Sequence, residues 1–171
     1  MSDPFPRAPI IGLFGTCGHS QWRKPFIDVY DAEGIRFYNP QKDDWKPEYA
    51  IEENQHLLED EIILFPVTDE TTAVGSLGEI GFSILEAVRN LKTDRYVVVL
   101  IDDDCKDPKA DAKGIKDSRN ARVLVKSKIR DNNYAYRNVF LVETLDQMLD
   151  LSLKLHRHLL HMVEIRRSIR P

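Results

Sequence analysis

The chain has 171 residues, a length that suits one domain with a sizeable core and is short for two. Hydrophobic residues make up 42% of it, charged residues 30%, and the formal net charge is -4. These values are typical of a globular protein and argue against broad binding to nucleic acids or to anionic membranes.

The cysteines and the apolar runs bear on location and cofactors. Cys17 and Cys105 are too few for a disulfide framework and lack the spacing of metal ligands. The first residues carry no basic and apolar leader, and no apolar run is long enough to cross a bilayer. A Walker loop and a dinucleotide glycine fingerprint are also absent from the sequence. We therefore expect a cytoplasmic protein that uses neither a metal nor a cofactor.

Strand and helix signals alternate along the whole chain. The predicted strands span residues 10–14, 35–38, 62–67, 96–101 and 139–142. The predicted helices span residues 21–32, 47–58, about 76–90, 119–129 and 145–167. Gly34 is expected to stop the first helix and Thr144 to cap the last. The alternation predicts an α/β domain with a parallel sheet and right-handed crossovers, and the charged residues 102–117 are expected to form an exposed excursion.

The last predicted helix is more apolar than a surface helix needs to be. Its large apolar residues, among them Met148, Leu155 and Leu160, cover more than one face, which predicts a homo-oligomer joined through this helix. Burial in the core of the same chain explains about half of them. Its histidines do not share a helix face, which argues against a metal site.

The segment 62–82 is the most informative part of the chain. An apolar strand leads into a polar loop, and the loop ends at Gly75-Ser76 before a helix whose first turn is expected to hold Glu79. In an open α/β sheet, ligands bind at the carboxyl ends of the strands, so this carboxylate is well placed to face one. Stabilisation of the helix N-terminus by an acidic side chain is the alternative interpretation.

Several short motifs occur in an order and spacing that are fairly specific. They are Leu13-Phe14-Gly15, Asn39-Pro40 with Asp43-Asp44-Trp45, Glu53-Asn54-Gln55 with Glu59-Asp60, and, most strongly, Gly75-Ser76-Leu77-Gly78-Glu79-Ile80-Gly81-Phe82. Over roughly its first half, the chain resembles the nucleoside 2-deoxyribosyltransferases and their N-glycosidase relatives.

This resemblance implies a fold and a reaction. The fold is a flavodoxin-like, doubly wound sheet of five parallel strands flanked by helices, with the site between the first and third strands. Glu79 would attack the anomeric carbon of a 2'-deoxynucleoside and form a deoxyribosyl ester, which a free nucleobase would then collect. Two displacements at the same carbon imply retained configuration. A neighbouring subunit contributes to the pocket in this family, which again implies a homo-oligomer.

The departing base must gain a proton, so a second acid is needed. Asp43, Asp44, Glu53 and Asp69 are the candidates, and Asp44 is attractive because Trp45 beside it could stack on a base. Ordinary roles remain open for all four, as a solvated turn, a charged helix face or a loop cap. The residues proposed to contact substrate are Phe14, Gly15, Trp22, Trp45, Glu53, Asp69, Gly75 and Ser76.

Two departures from the best-known transferases affect how Glu79 is held. Leu13 stands where the family often has a tyrosine, and Thr72-Ala73 where it has an aspartate. Another group must orient the nucleophile, and Tyr38 is the candidate. Three functions are therefore compared: transfer between 2'-deoxynucleosides and free nucleobases, hydrolysis of 2'-deoxynucleosides or their 5'-monophosphates, and nucleotide binding without catalysis.

Overall fold

The computed structural model describes residues 8–42, 44, 46–89, 95–131 and 137–169. The strands are β1 (Ile11–Leu13), β2 (Phe37–Tyr38), β3 (Ile62–Val67), β4 (Tyr96–Ile101) and β5 (Val139–Val142). The helices are α1 (Arg23–Glu33), α2 (Tyr49–Glu59), α3 (Val74–Arg89), α4 (Ala112–Asp131) and α5 (Leu145–Ser168).

The five strands form one parallel sheet in the order β2-β1-β3-β4-β5. The chain starts at β1, moves outward to β2, and then returns past β1 to β3, so the direction of winding reverses between β1 and β3. This arrangement confirms the predicted α/β, flavodoxin-like, doubly wound sheet flanked by helices. The reversal also opens a crevice at the carboxyl ends of β1 and β3.

Two apolar cores cover the two faces of the sheet. Helices α2, α3 and α4 cover one face, where their buried residues Leu57, Leu77, Ile80, Ala87 and Ile129 pack on the strands. Helices α1 and α5 cover the other, through Trp22, Phe26, Tyr30, Met148, Leu155 and Leu159. The central strands β3 and β4 are buried on both sides, which is why their sequences are continuously apolar.

The two predicted helix signals at Gly34 and Thr144 are confirmed. Gly34 adopts a left-handed conformation (φ 66°) after α1, and its N–H bonds back to carbonyls of the last turn. The Thr144 hydroxyl accepts a hydrogen bond of 3.1 Å from the N–H of Gln147 at the start of α5. These interactions fix the end of α1 and the start of α5.

The prediction of an exposed excursion over residues 102–117 is wrong from Ala112 onward, where α4 begins. Asp111 caps this helix by accepting a 2.7 Å hydrogen bond from Gly114 N–H. The residues before it pack back on the β3–α3 loop, since Asp69 N–H bonds to Asp102 and Thr72 N–H to Asp107. The charged composition concealed the helix because its buried stripe includes Ser118 and Arg122 rather than apolar residues only.

Helix α5 uses much of its apolar surface within the chain. Met148, Leu155, Leu159 and Val163 are buried, and its remaining large apolar residues are half-buried except for Ile165. In the described part of the chain, no helix combines the length and apolar character needed to traverse a bilayer.

Candidate active site

A cavity of about 330 Å³ lies at the point where the winding of the sheet reverses. Two loops form most of its walls: the β1–α1 loop after Leu13 and the β3–α3 loop after Val67. The lining residues are Phe14, Gly15, Cys17, Gly18, Pro40, Glu53, Thr71, Ala73, Gly75, Ser76 and Glu79. The volume is at the lower end of the range of roughly 300–1,000 Å³ that is usual for small-molecule sites.

Phe14 and Gly15, two of the residues proposed to contact substrate, form the floor of the cavity. The Phe14 ring is buried and packs against Tyr38 and Phe65, with ring centroids 6.0 Å and 5.7 Å away. Gly15 has φ 94°, and a Cβ at this position would lie 2.5 Å from the carbonyl oxygen of Pro66. Only glycine therefore lets the β1–α1 loop pass this close to β3.

Glu79 projects into the cavity from α3, but from the second turn of that helix rather than from the first. The helix begins at Val74, after Ala73 in a left-handed conformation (φ 52°), and its first turn holds no acidic residue. The predicted position in the first turn is therefore wrong. Because helix-dipole effects fade within one turn, stabilisation of the N-terminus explains Glu79 less well than the cavity does.

The environment of Glu79 disfavours its ionised form. Burial raises the pKa of Glu79 most, and the negative charge of Glu53 across the cavity raises it further, while Arg23 opposes both. Glu53 reaches the same cavity from α2, so two carboxyl groups of different elements face one space. Such a pair favours a state in which one carboxyl keeps a proton.

Arg23, which the sequence did not single out, lies beneath the β1–α1 loop and is only 3% exposed. Its guanidinium donates to the carbonyl oxygens of Leu13 (2.9 Å), Thr16 (2.7 Å) and Gly15 (3.4 Å), to Gln41 Oε1 (3.2 Å) and to Cys17 Sγ (3.4 Å). It thus fixes the loop that carries Phe14 and Gly15. Its helical spacing could have indicated that Arg23 is buried, because Arg23 lies on the same face of α1 as the buried Phe26 and Tyr30.

Arg122 on α4 does the same for the other wall. It is fully buried and donates to the carbonyl oxygens of Val67 (3.2 Å), Thr68 (3.0 Å), Thr71 (2.7 Å) and Asp102 (3.1 Å). The two loops are also joined directly, since Thr16 N–H bonds to Pro66 O at 2.9 Å and Thr68 N–H to Thr16 Oγ1 at 3.0 Å. Both walls are therefore held from below by a buried cation.

Some predicted site residues lie away from the cavity. Trp22 is buried behind the loop, where its indole donates to Thr16 O at 2.9 Å. Asp44 is 87% exposed and pairs with Lys46, while Asp69 pairs with Lys106. Asp43 and Trp45 fall outside the described residues.

Tyr38 does not line the cavity either. Its ring stacks on that of His56, with centroids 3.8 Å apart and an interplanar angle of 8°. The positively charged group that acts electrostatically on Glu79 is Arg23 instead. Within the described ranges, no three or more His, Cys, Asp or Glu residues are grouped so as to hold a metal ion.

Comparison with known proteins supports the fold. No protein-family model matches the chain, and no curated protein matches it. A solved structure, a conserved protein from Enterococcus faecalis V583, is similar with a TM-score of 0.50 and 16% identity over 84% of this chain and 96% of that one. The TIR domains of the activated Roq1 resistosome, which directly recognises the pathogen effector XopQ, give a TM-score of 0.38 and 12% identity over 92% and 84%. The first similarity shows the shared fold alone, and the second is too weak for any inference.

Proposed function

We propose that this chain transfers a 2-deoxyribosyl group between nucleobases through a covalent ester on Glu79, with retained configuration. The observation that carries the proposal is the pair Glu79 and Glu53 in a cavity floored by Phe14 at the reversal of the sheet. The sequence resemblance supports the same assignment, because it points to Glu79 from its motif rather than from its position in space.

The first displacement forms one bond and breaks one. A Glu79 Oε atom bonds to the anomeric carbon of a 2'-deoxynucleoside as the bond from that carbon to the base nitrogen breaks. The carbon gains oxocarbenium character in the transition state, and an anionic carboxylate on one face stabilises it. A 2-hydroxyl would withdraw electrons and slow this ionisation, so a deoxy sugar is the better substrate. A second base nitrogen then attacks the carbon, loses its proton and frees Glu79.

Glu53 is the residue we assign as proton donor to the departing base. Of the acids considered from the sequence, Glu53 lines the cavity, whereas Asp44 and Asp69 do not. Glu79 must attack as a carboxylate, so Glu53 is the second carboxyl group of the cavity that can supply the proton. The same carboxylate can take the proton from the incoming base in the second displacement.

The charges around the cavity favour a nucleoside over a 5'-monophosphate. Among the described lining residues, the ionisable groups are Glu53, Glu79 and Cys17, and none is a lysine, arginine or histidine. Arg23 is close, but its guanidinium is already engaged by loop carbonyls. A phosphate needs several donors and a cation at the mouth of the site.

Intact-mass spectrometry during turnover tests the proposal. We expect a deoxyribosyl adduct on the wild-type chain and none on Glu79→Gln, because an amide cannot form the ester. Glu52→Gln is the matched control, since Glu52 is the exposed neighbour of Glu53 and does not line the cavity. Adding a second free base should yield a new nucleoside.

The other outcomes identify the competing functions. Free deoxyribose with no new nucleoside, even with a second base in excess, would indicate hydrolysis. Ligand binding that survives Glu79→Ala, with no turnover in either protein, would indicate a binding module and overturn the proposal. We place the activity in the cytoplasm, which the free thiols of Cys17 and Cys105 support.

A further inference from the structure

The cavity at the reversal of the sheet presents acidic groups on two of its sides. Glu53 reaches it from α2 and Glu79 from α3. Among its described lining residues, no lysine, arginine or histidine balances them. Arg23 lies beneath the β1–α1 loop, is 3% exposed, and donates to the loop carbonyls. A molecule in the cavity therefore contacts the carboxyl groups and not the guanidinium.

The cavity in its ionised state is electrostatically complementary to a cation. Burial raises the pKa of Glu79, and the negative charge of Glu53 raises it further. Arg23 offsets this only in part, since the net shift is upward. A positive charge between the two carboxylates would pair with both and relieve their repulsion. The same charges that disfavour a phosphate thus favour a cation.

Only one part of a 2'-deoxynucleoside can carry such a charge. The sugar has no ionisable group, whereas the base has a full positive charge when one of its ring nitrogens is alkylated. Purines that are alkylated on the imidazole ring are bases of this kind. A neutral base becomes positive only by gaining a proton, which an acid of the site must supply.

We propose that the preferred donor substrates of this cavity are 2'-deoxynucleosides whose base carries a permanent positive charge on an alkylated ring nitrogen. The inference rests on the proposed function, because it assigns the substrate class of the same reaction at Glu79. Glu53 is the counterion of a cationic base, and for neutral bases it remains the proton donor.

The charges balance in the first displacement without a proton transfer. As the bond from the anomeric carbon to the base breaks, its electron pair moves onto the ring nitrogen and neutralises the base. Glu79 forms its ester in the same step and loses its negative charge. Glu53 stays ionised throughout. The neutral base no longer pairs with Glu53, so it leaves more readily than the cationic substrate did.

A matched pair of ligands tests the charge preference without turnover. The cation is 7,9-dimethyladeninium, in which a methyl group replaces the sugar. The neutral ligand is 7,9-dimethyl-7-deazaadenine, which has the same shape with carbon in place of the alkylated nitrogen. By isothermal titration calorimetry, the wild-type chain should bind the cation at least about tenfold more tightly. Glu53→Gln should lose most of this preference, and Glu52→Gln, an exposed change outside the cavity, should keep it.

The pKa of Glu79 provides a second measurement, which needs no variant. In an NMR titration of the wild-type chain, the cation should lower this pKa, because a nearby positive charge favours the carboxylate. The neutral ligand brings no charge and should not lower it. A Glu79 pKa that the cation leaves unchanged would contradict the inference.

Turnover separates the two roles of Glu53. With 2'-deoxyadenosine, Glu53→Gln should lower kcat about 100-fold or more, because the departing base needs a proton. With 7-methyl-2'-deoxyadenosine, after correction for spontaneous hydrolysis, kcat should be unchanged and KM should rise about tenfold, because only the ion pair is lost.

The failure of this inference is distinct from the failure of the proposed function. Equal binding of the two ligands by the wild-type chain, or a preference that Glu53→Gln leaves intact, would overturn the inference while the ester on Glu79 stands. Absence of the Glu79 adduct, together with a clear preference for the cation, would overturn the transfer reaction and with it the assignment of substrates.

Discussion

Arg23 both fixes the shape of the site and contributes to its electrostatics. Its guanidinium is held against three loop carbonyls, and burial lowers its pKa, while Cys17, Glu53 and Glu79 favour its charged form. A buried cation that is satisfied by carbonyl oxygens keeps its charge in place. Arg23 is therefore a positioning residue for the floor of the cavity, and its charge favours ionised Glu79.

Replacement of Arg23 by glutamine should raise the pKa of Glu79. The substitution removes the charge that opposes burial and the repulsion from Glu53, so the protonated carboxyl gains relative stability. Titration of the labelled side-chain carboxyl by NMR measures this pKa without any need for turnover. Arg23→Lys keeps the charge and should shift the pKa less, although it loses the forked hydrogen bonds.

Arg122→Gln is the control for this experiment. Arg122 is also buried beneath a wall of the site, but it is not among the groups that act on the pKa of Glu79. A Glu79 pKa that is unchanged in Arg23→Gln, or that shifts equally in Arg122→Gln, would contradict the electrostatic role given to Arg23.

The residues that the sequence could identify are those marked by a motif at the end of a strand. Phe14, Gly15, Ser76 and Glu79 follow β1 and β3, and the parallel sheet brings those strand ends together. The sequence could not decide which loop acid turns inward, because Asp44 and Asp69 find partners in Lys46 and Lys106 on the outside. It also passed over Arg23, since arginine is rarely buried.

The β1–α1 loop depends on glycine for two separable reasons. Gly15 (φ 94°) and Gly18 (φ 77°) both adopt conformations that cost other residues about 1–2 kcal/mol. A Cβ at Gly15 would also collide with Pro66 in β3, whereas nothing lies within 4 Å of a Cβ at Gly18. A comparison of substitutions at Gly15 and Gly18 therefore distinguishes the cost of backbone strain from the cost of a steric clash.

Gly15→Ala should destabilise the fold more than Gly18→Ala. Gly18→Ala is expected to cost about 1–2 kcal/mol from the backbone alone, and Gly15→Ala more, because β3 must also shift. Urea unfolding of both variants measures the free energy of unfolding. Equal losses would show that the close approach of Gly15 to Pro66 is not a constraint on the fold.

The sequence predicts some helices and strands better than others. All five strands were predicted, because four are apolar segments and the fifth, β2, follows the helix stop at Gly34. The start of α4 was missed because its first residues, 112–118, are mostly polar or charged and include Gly114. Helix α4, which holds one wall of the site through Arg122, is thus rich in charged residues.

The molecule as a whole places an unfavourable charge, that of Glu79, where the proposed chemistry occurs. Burial raises the pKa of Glu79, so ionised Glu79 costs the folded state free energy that the unfolded chain does not pay. A group with a raised folded pKa contributes stability that is present below its unfolded pKa and is lost as pH rises through the folded value. Native proteins tolerate such costs at functional sites.

Glu79→Gln should therefore make the folded protein more stable than the wild type at pH 8. Glutamine fills the same space without a charge, so the difference should grow as pH rises above about 4.3, the ordinary glutamate value, and become constant above the raised pKa of Glu79. Urea unfolding at several pH values measures it. His156, whose pKa is lowered by burial, is the same in both proteins, so its contribution cancels from the comparison.

Glu52→Gln, an exposed substitution on α2, is the control and should stay within about 0.5 kcal/mol of the wild-type stability at every pH. If Glu79→Gln instead loses stability relative to wild type between pH 5 and pH 8, ionised Glu79 supports the fold, and the view that its charge is unfavourable in the folded state is wrong.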